Sequence, residues 1–212
     1  MKNLIIIGAG GFAREVYNHA KLSHGYNRDW RIKGFLDGDI KLDSASYSKL
    51  ALPVLGDVYN YQIEPDDVFI CAFSGDLAAR RKIIQTVENR GGKFINLIHK
   101  TAIIQDNVRL GVGVIICYYV GIGDHATIGD HVAINGHSAI GHDAIIGKNT
   151  CIMSFVDIMG NTTIGENVYF ASGSRILPHG ALGDNAYIGA GSVVLKTVKA
   201  GAKVFGVPAV EM

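Results

Sequence analysis

His142 stands directly before Asp143, and this pair carries the chemistry of a general base with its orienting carboxylate. Imidazole as a side-chain type titrates near neutrality, and a neighbouring carboxylate fixes its tautomer and raises its basicity. An amine or hydroxyl attacking a thioester needs one proton removed and a developing oxyanion held by an N–H donor. Cys151 is a nucleophile by type, but its place in the pattern described below predicts that it packs between coils. A second group lies near the start of the chain, where Gly8-Ala9-Gly10-Gly11-Phe12-Ala13 follows an apolar run and Asp37 closes the next one. Glycines between a strand and a helix let backbone N–H groups approach a phosphate at the helix N-terminus, and an acid after the second strand suits a ribose.

The elements that must position His142 repeat. Stepping by six from Ile104 gives Leu110, Ile116, Ile122, Ile128, Ile134, Ile140, Ile146, Ile152, Ile158, Ile164, Phe170, Ile176, Leu182, Ile188 and Val194, so residues 104–199 form sixteen hexads without a break. A mostly small residue follows four places later, as at Val108, Ala126, Val132, Ser138, Ala144, Thr150, Thr162, Ser174, Ala186 and Ser192. Glycine often comes next after the apolar residue, as at Gly111, Gly123, Gly129, Gly141, Gly147, Gly165, Gly183 and Gly189. This period fits neither a helix nor a free strand. It predicts a triangular coil of three short strands, about five coils stacked by parallel hydrogen bonds, with the glycines explained by corner torsions that side chains resist. General chirality rules favour right-handed crossovers, so the winding is not given by the pattern.

Three hexads per coil place residues eighteen apart above one another. His142 then lies between Asp124 and Gly160, and Asp143 between His125 and Asn161. Gly160 has no side chain to block an approach to His142. His125, His131 and His179 read as solvated corner residues. The column His131, Asn149, Asn167 and Asn185 reads as an asparagine ladder, because asparagine tolerates left-handed torsions. Tyr119 and Phe155 stack with His137, which reads as packing at a subunit contact.

Residues 1–98 read as a small α/β unit and 99–212 as the β-helix. Strands are expected at Asn3–Ile7, Ile32–Leu36, Val54–Leu55, Val68–Phe73 and Lys93–Ile98, with helices at Phe12–Leu22 and Ala78–Arg90, an alternation that gives a parallel sheet. The sheet is too small for a complete dinucleotide site, and a nucleotide joined to a sugar fits better. The 212 residues are 48% hydrophobic with a formal net charge of +1, so bulk charge offers nothing to nucleic acid or an anionic membrane. Cys71, Cys117 and Cys151 show neither zinc-ribbon nor disulfide spacing. Leu4–Ile7 is too short for a signal core, and no apolar run approaches the roughly 20 residues of a membrane span. The expectation is a soluble cytoplasmic protein.

With Ile5-Ile6-Ile7-Gly8-Ala9-Gly10-Gly11, Phe35-Leu36-Asp37, Asn96-Leu97-Ile98-His99, Asn135-Gly136-His137-Ser138-Ala139-Ile140-Gly141-His142-Asp143 and Gly206-Val207-Pro208-Ala209, the chain resembles the bacterial hexapeptide-repeat sugar acyltransferases. That group holds sialic acid O-acetyltransferases (NeuD type) and nucleotide-linked 4-amino-sugar N-acetyltransferases (PglD type). The resemblance implies a Rossmann-like nucleotide-binding domain followed by a left-handed parallel β-helix, assembled as a homotrimer. Acetyl-CoA would lie in the groove between two β-helices, with no metal. His142 would be the base, Asp143 its acidic partner, and Gly160 the N–H donor to the thioester carbonyl. Asn135 would touch the sugar, and Gly10, Gly11, Phe12, Asp37 and Phe73 would hold the nucleotide sugar. Ser172 and Ala190 would meet the pantetheine arm of CoA, and Lys196 with Pro208 its phosphate end.

The expected reaction is N-acetylation of a UDP-, GDP- or dTDP-linked 4-amino-4,6-dideoxyhexose for surface polysaccharide or glycan synthesis, with sugar or sialic acid O-acetylation as the alternative. Two positions depart from the resemblance: relatives often carry histidine where this chain has Phe12 and Cys151. Two other classes compete. A gamma-type carbonic anhydrase would use His137 and His142 on zinc, but two coils before His137 stands Thr101. A non-catalytic trimeric scaffold is the other.

Overall fold

The computed structural model describes residues 1–38 and 47–212. Two compact units divide the chain, Met1–Leu97 and Ile98–Met212.

In the first unit, β1 (Lys2–Ile7), α1 (Gly11–Lys21), β2 (Trp30–Asp37), β3 (Val54–Asp57), β4 (Asp67–Cys71), α2 (Leu77–Asn89) and β5 (Lys93–Phe94) form a parallel sheet in the order β3-β2-β1-β4-β5. Leu4, Ile5, Ile6 and Ile7 are all buried, as a strand covered on both faces requires. α1 buries Ala13, Val16 and Ala20. α2 starts at Asp76, whose carboxylate accepts from the N–H groups of Ala78 at 2.8 Å and Ala79 at 3.1 Å. Chain order reverses between β1 and β4, so the carboxyl ends of β1, β2 and β4 surround the crevice where open α/β sheets take ligands. The expected last strand, Lys93–Ile98, is split: Lys93–Phe94 pairs with β4, whereas Leu97–Ile98 is the first rung of the β-helix.

The second unit is a three-sided parallel coil. Its first face runs from Leu97–Ile98 to Lys203–Phe205, its second from Ile103–Ile104 to Val193–Val194, and its third from Arg109–Leu110 to Thr197–Val198. The second and third faces have six rungs, more than the five coils expected. The second face takes all six rungs from the hexads, because sixteen do not divide evenly by three, whereas the sixth rung of the third face is Thr197–Val198. The first face gains Leu97–Ile98 before the repeat and Lys203–Phe205 after it, and beyond Val194 the chain continues with a change of phase. Leu182 pairs with Val198 and Ile188 with Val204, sixteen residues on, where Ile176 and Val194 are still eighteen apart.

Inside the coil, Ile116, Ile122, Ile128, Ile134, Ile140 and their successors are buried in one column per face. Two small polar residues among them bond backbone carbonyls: Ser138 Oγ donates to Met153 O at 2.8 Å and Ser174 Oγ to Ala171 O at 2.7 Å. Each hydroxyl therefore enters the core with an acceptor.

The glycine explanation needs correction. Left-handed torsions fall two residues after the glycine position, at residues such as His125 (φ 58°), Asp143 (φ 56°) and Asn149 (φ 57°). Gly123 and Gly141 serve another purpose. A Cβ on Gly123 would lie 2.5 Å from His142 N, and one on Gly141 would lie 2.7 Å from Met159 C. Close stacking of successive coils excludes the side chain there.

Candidate active site

His142 and Asp143 occupy the second corner, between the second and third faces. Ile140 pairs in register with Ile122 below and Ile158 above, so the stacking inferred from eighteen-residue spacing holds at this point. Asp143 N–H donates to Asp124 O at 3.0 Å, and Asn161 N–H donates to His142 O at 2.9 Å. The backbone of the pair is thus fixed from both sides. His142 Nδ1 lies 2.7 Å from Asp143 Oδ2, with both side chains more than half exposed. If Nδ1 donates to the carboxylate, Nε2 is left as the acceptor nitrogen.

The ring lies against Gly160. A Cβ built there would sit 2.7 Å from Nε2, 2.9 Å from Cε1 and 3.0 Å from Cδ2, so any side chain at 160 would displace the imidazole. Among the described residues the Gly160 N–H has no acceptor, while its carbonyl accepts from His179 N–H at 3.2 Å. An imidazole nitrogen and an N–H without an acceptor among the described residues therefore share one corner. Asp124, one coil below, is held by Asn107 Nδ2 at 3.2 Å and His125 N–H at 3.0 Å.

Other expected residues fall elsewhere. Asn135, Ser172 and Ala190 belong to the first corner, between the first and second faces. The strand Ala139–Ile140 separates that corner from His142. The Asn135 side chain lies between sulfurs, with Cys117 Sγ at 3.8 Å and Met153 Sδ at 3.6 Å. Lys196 and Pro208 line a cavity of about 460 Å³ at the last coil, with Lys199, Ala202 and Glu211. Cys151 is fully buried, so its thiol is withdrawn from any reacting group. His131 is also buried, at 7% exposure, which corrects the reading of it as a solvated corner residue. Its column is nevertheless a ladder: His131, Asn149, Asn167 and Asn185 all have positive φ, and Asn149 Nδ2 donates to Asn167 Oδ1 at 2.8 Å.

In the first unit a cavity of about 190 Å³ opens at the carboxyl ends of the strands, lined by Gly8, Asp37, Tyr59, Phe73 and Ile83 among others. Asp37 Oδ1 accepts from Gly38 N–H at 2.8 Å, and Oδ2 from the Tyr47 hydroxyl at 2.8 Å. Gly8 is required by the fold, with φ 109° and a Cβ that would meet Ala72 O at 2.9 Å. Gly10 and Gly11 are not. Gly10 has φ −80° with nothing within 4 Å of a Cβ, and Gly11 would meet only Arg14 Nη2 at 3.9 Å. Gly10, Gly11 and the half-buried Phe12 form the uncapped start of α1 and do not line the cavity. Tyr47, Tyr59 and Arg14 were not singled out from sequence, since no motif marks them and only the fold brings them to Asp37 or the turn. Among the described residues no three His, Cys, Asp or Glu side chains are grouped to hold a metal ion, and no helix is long and apolar enough to cross a membrane.

Comparison with known proteins places both units. The profile of the PglD N-terminal domain matches residues 3–87, and that of the bacterial transferase hexapeptide, six repeats long, matches residues 143–178. The chain is a hexapeptide-repeat acyltransferase with a PglD-type N-terminal domain. No curated protein sequence matches. Among solved structures, PerB from Caulobacter crescentus, in complex with CoA and GDP-perosamine, is 27% identical with a TM-score of 0.87, the match covering 100% of this chain and 98% of that one. A perosamine N-acetyltransferase from Caulobacter crescentus with one histidine changed to asparagine, in complex with CoA and GDP-perosamine, is 26% identical with a TM-score of 0.88, covering 100% and 97%. The acetyltransferase domain of PglB from Neisseria gonorrhoeae, in complex with acetyl coenzyme A, is similar in fold, with 24% identity, a TM-score of 0.87 and coverage of 100% and 99%. The β-helix of this acyltransferase is accordingly left-handed, against the general preference for right-handed crossovers.

Proposed function

We propose that this acyltransferase moves the acetyl group of acetyl-CoA to the amino group of a nucleotide-linked 4-amino-4,6-dideoxyhexose. The observation that carries the reading is the second corner, where His142 Nε2 and the Gly160 N–H stand together. The likeness to PerB, which binds CoA and GDP-perosamine, supports the substrate class.

The amine nitrogen attacks the thioester carbon, and His142 Nε2 takes the proton that the nitrogen loses. Asp143 holds the resulting imidazolium, and the Gly160 N–H holds the carbonyl oxygen as it becomes an oxyanion. Collapse of the tetrahedral intermediate breaks the C–S bond, and the departing thiolate takes the proton from His142. No acyl-enzyme is formed. The nucleotide sits at the crevice of Asp37 and Phe73, with its phosphates near the bare turn of Gly10 and Gly11 and with Phe12 beside it. Asn135 meets the sugar, Ser172 and Ala190 the pantetheine arm, and Lys196 with Pro208 the CoA phosphates.

These assignments require more than one copy, because Asn135, Ser172 and Ala190 lie a whole side of the triangle from His142. A homotrimer that sets the first corner of one copy against the second corner of the next closes the site three times by one heterologous contact. The three cysteines are buried and form no disulfide, which suits work in the cytoplasm.

The test is CoA release with acetyl-CoA and UDP-, GDP- and dTDP-linked amino sugars, with the product checked for an acetamido group. His142→Ala is expected to lower kcat by about 1,000-fold with the fold retained. Full activity of that variant, acetylation of hydroxyls alone, or inertness toward every amino sugar overturns the proposal.

A further inference from the structure

Left-handed torsions favour glycine and asparagine, tolerate aspartate and histidine, and are costly for bulky side chains. The corners of the β-helix follow that preference with two exceptions, Tyr119 (φ 54°) and Phe155 (φ 61°). Both belong to the first corner and flank His137 (φ 61°). Tyr119 and Phe155 are 61% and 62% exposed. The Tyr119 and His137 rings are 5.2 Å apart, and the His137 and Phe155 rings are stacked at 4.9 Å with 2° between their planes. Two aromatic rings are thus held in unfavourable torsions and left largely in water, where internal packing gains little from them.

Above Phe155 the column changes character. The next two positions are Gly173 and Gly191, both with positive φ. A Cβ on Gly173 would touch only Gly191 backbone at 3.9 Å, and one on Gly191 would meet nothing within 4 Å. The outer face of Phe155 therefore looks into a notch two rungs, or about 10 Å, high with a wall of bare backbone. Ser154, half-buried, directly precedes Phe155 at this corner.

We infer that Phe155 is the floor of a subsite for the pyranose ring of the acceptor and determines its specificity. A pyranose is amphipathic in the way the notch is. Its C–H face lies on the electron-rich face of the phenyl ring, as C–H edges do in aromatic packing, while its hydroxyl edge reaches Ser154. The place fits the chemistry: Asn135 opens the same corner two residues before His137, and the pantetheine arm at Ser172 and Ala190 would deliver the acyl group from above. The inference rests on the proposed acetyl transfer and adds to it the residue that recognises the sugar ring.

Phe155→Asn installs the residue that left-handed corners prefer, so the β-helix is expected to remain folded. Its KM for the nucleotide amino sugar is expected to rise about tenfold, with the KM for acetyl-CoA and the oligomeric mass unchanged. Phe155→Trp is expected to restore the lower KM. Gly173→Asn, which keeps Phe155 and fills the notch with a tolerated residue, is expected to raise the same KM. An unchanged sugar KM in both Asn variants overturns the inference. So does a rise confined to acetyl-CoA, which would assign the notch to the cofactor, or loss of the oligomer in Phe155→Asn, which would make the ring a subunit contact. A wild-type protein inactive on every amino sugar overturns the functional proposal first and this subsite with it.

Discussion

The turn before α1 and the corners of the β-helix are both built from glycine, for opposite reasons. At Gly123 and Gly141 the space of a Cβ is already occupied by the backbone of the next coil. At Gly10 the same space is empty and the torsions are ordinary. The first kind of glycine is demanded from within the chain, whereas the second leaves room for something outside it. Gly160 is a third kind, because what would fill its Cβ position is the imidazole of His142 itself.

Three substitutions separate these roles. Gly160→Ala pushes the ring off its seat, and a displacement of about 1 Å at a base is expected to lower kcat about 100-fold. The loss should appear in kcat with the melting temperature little changed. A variant that keeps its kcat would show that the Gly160 surface does not hold the ring. Gly141→Ala drives a methyl group into the backbone of Met159 and Gly160, at a cost of about 3 kcal/mol. Denaturant unfolding reads this directly, and an unchanged midpoint would end the packing explanation of the corner glycines. Gly10→Ala is expected to shift stability by less than about 0.5 kcal/mol. It should still weaken the nucleotide sugar, visible as a raised KM or a weaker calorimetric titration. A large loss of stability with unchanged affinity would reverse the contrast.

Much of this geometry was legible because a period of six converts sequence distance into spatial adjacency. His142, Asp124 and Gly160 could be set in one column, and Asp143 in the next, from arithmetic alone. The same arithmetic failed beyond Val194, where two residues are missing from the coil and Val198 and Val204 resume the series out of phase. It also misassigned the reason for the glycines. Composition reveals that a corner recurs, but torsion and crowding distinguish residues two places apart. His131 was misread for a related reason, since a corner position does not state what lies over it. In the first unit the turn and Asp37 were readable from motif. Tyr47 and Tyr59 were not, because they reach the crevice through the crossing order of β1, β2 and β3 and no local pattern marks them. Left-handed winding came from likeness to relatives; the hexads themselves are silent on it.

A stack of parallel rungs has an awkward property at its end: the last rung presents the same unpaired N–H and C=O groups that every earlier rung used to bind its successor. Here the phase change brings the chain back over that edge. Val210–Glu211 runs antiparallel against Lys203–Phe205, and Gly206 O and Ala209 N–H bond the backbone of Val193 at 3.0 Å and 2.8 Å. On the first and second faces, Lys203–Phe205 and Val193 are thus no longer open parallel edges for a rung from another molecule. The segment that breaks the repeat thereby acts as a stopper, allowing a fold made of self-adhesive units to remain a discrete enzyme in place of a filament.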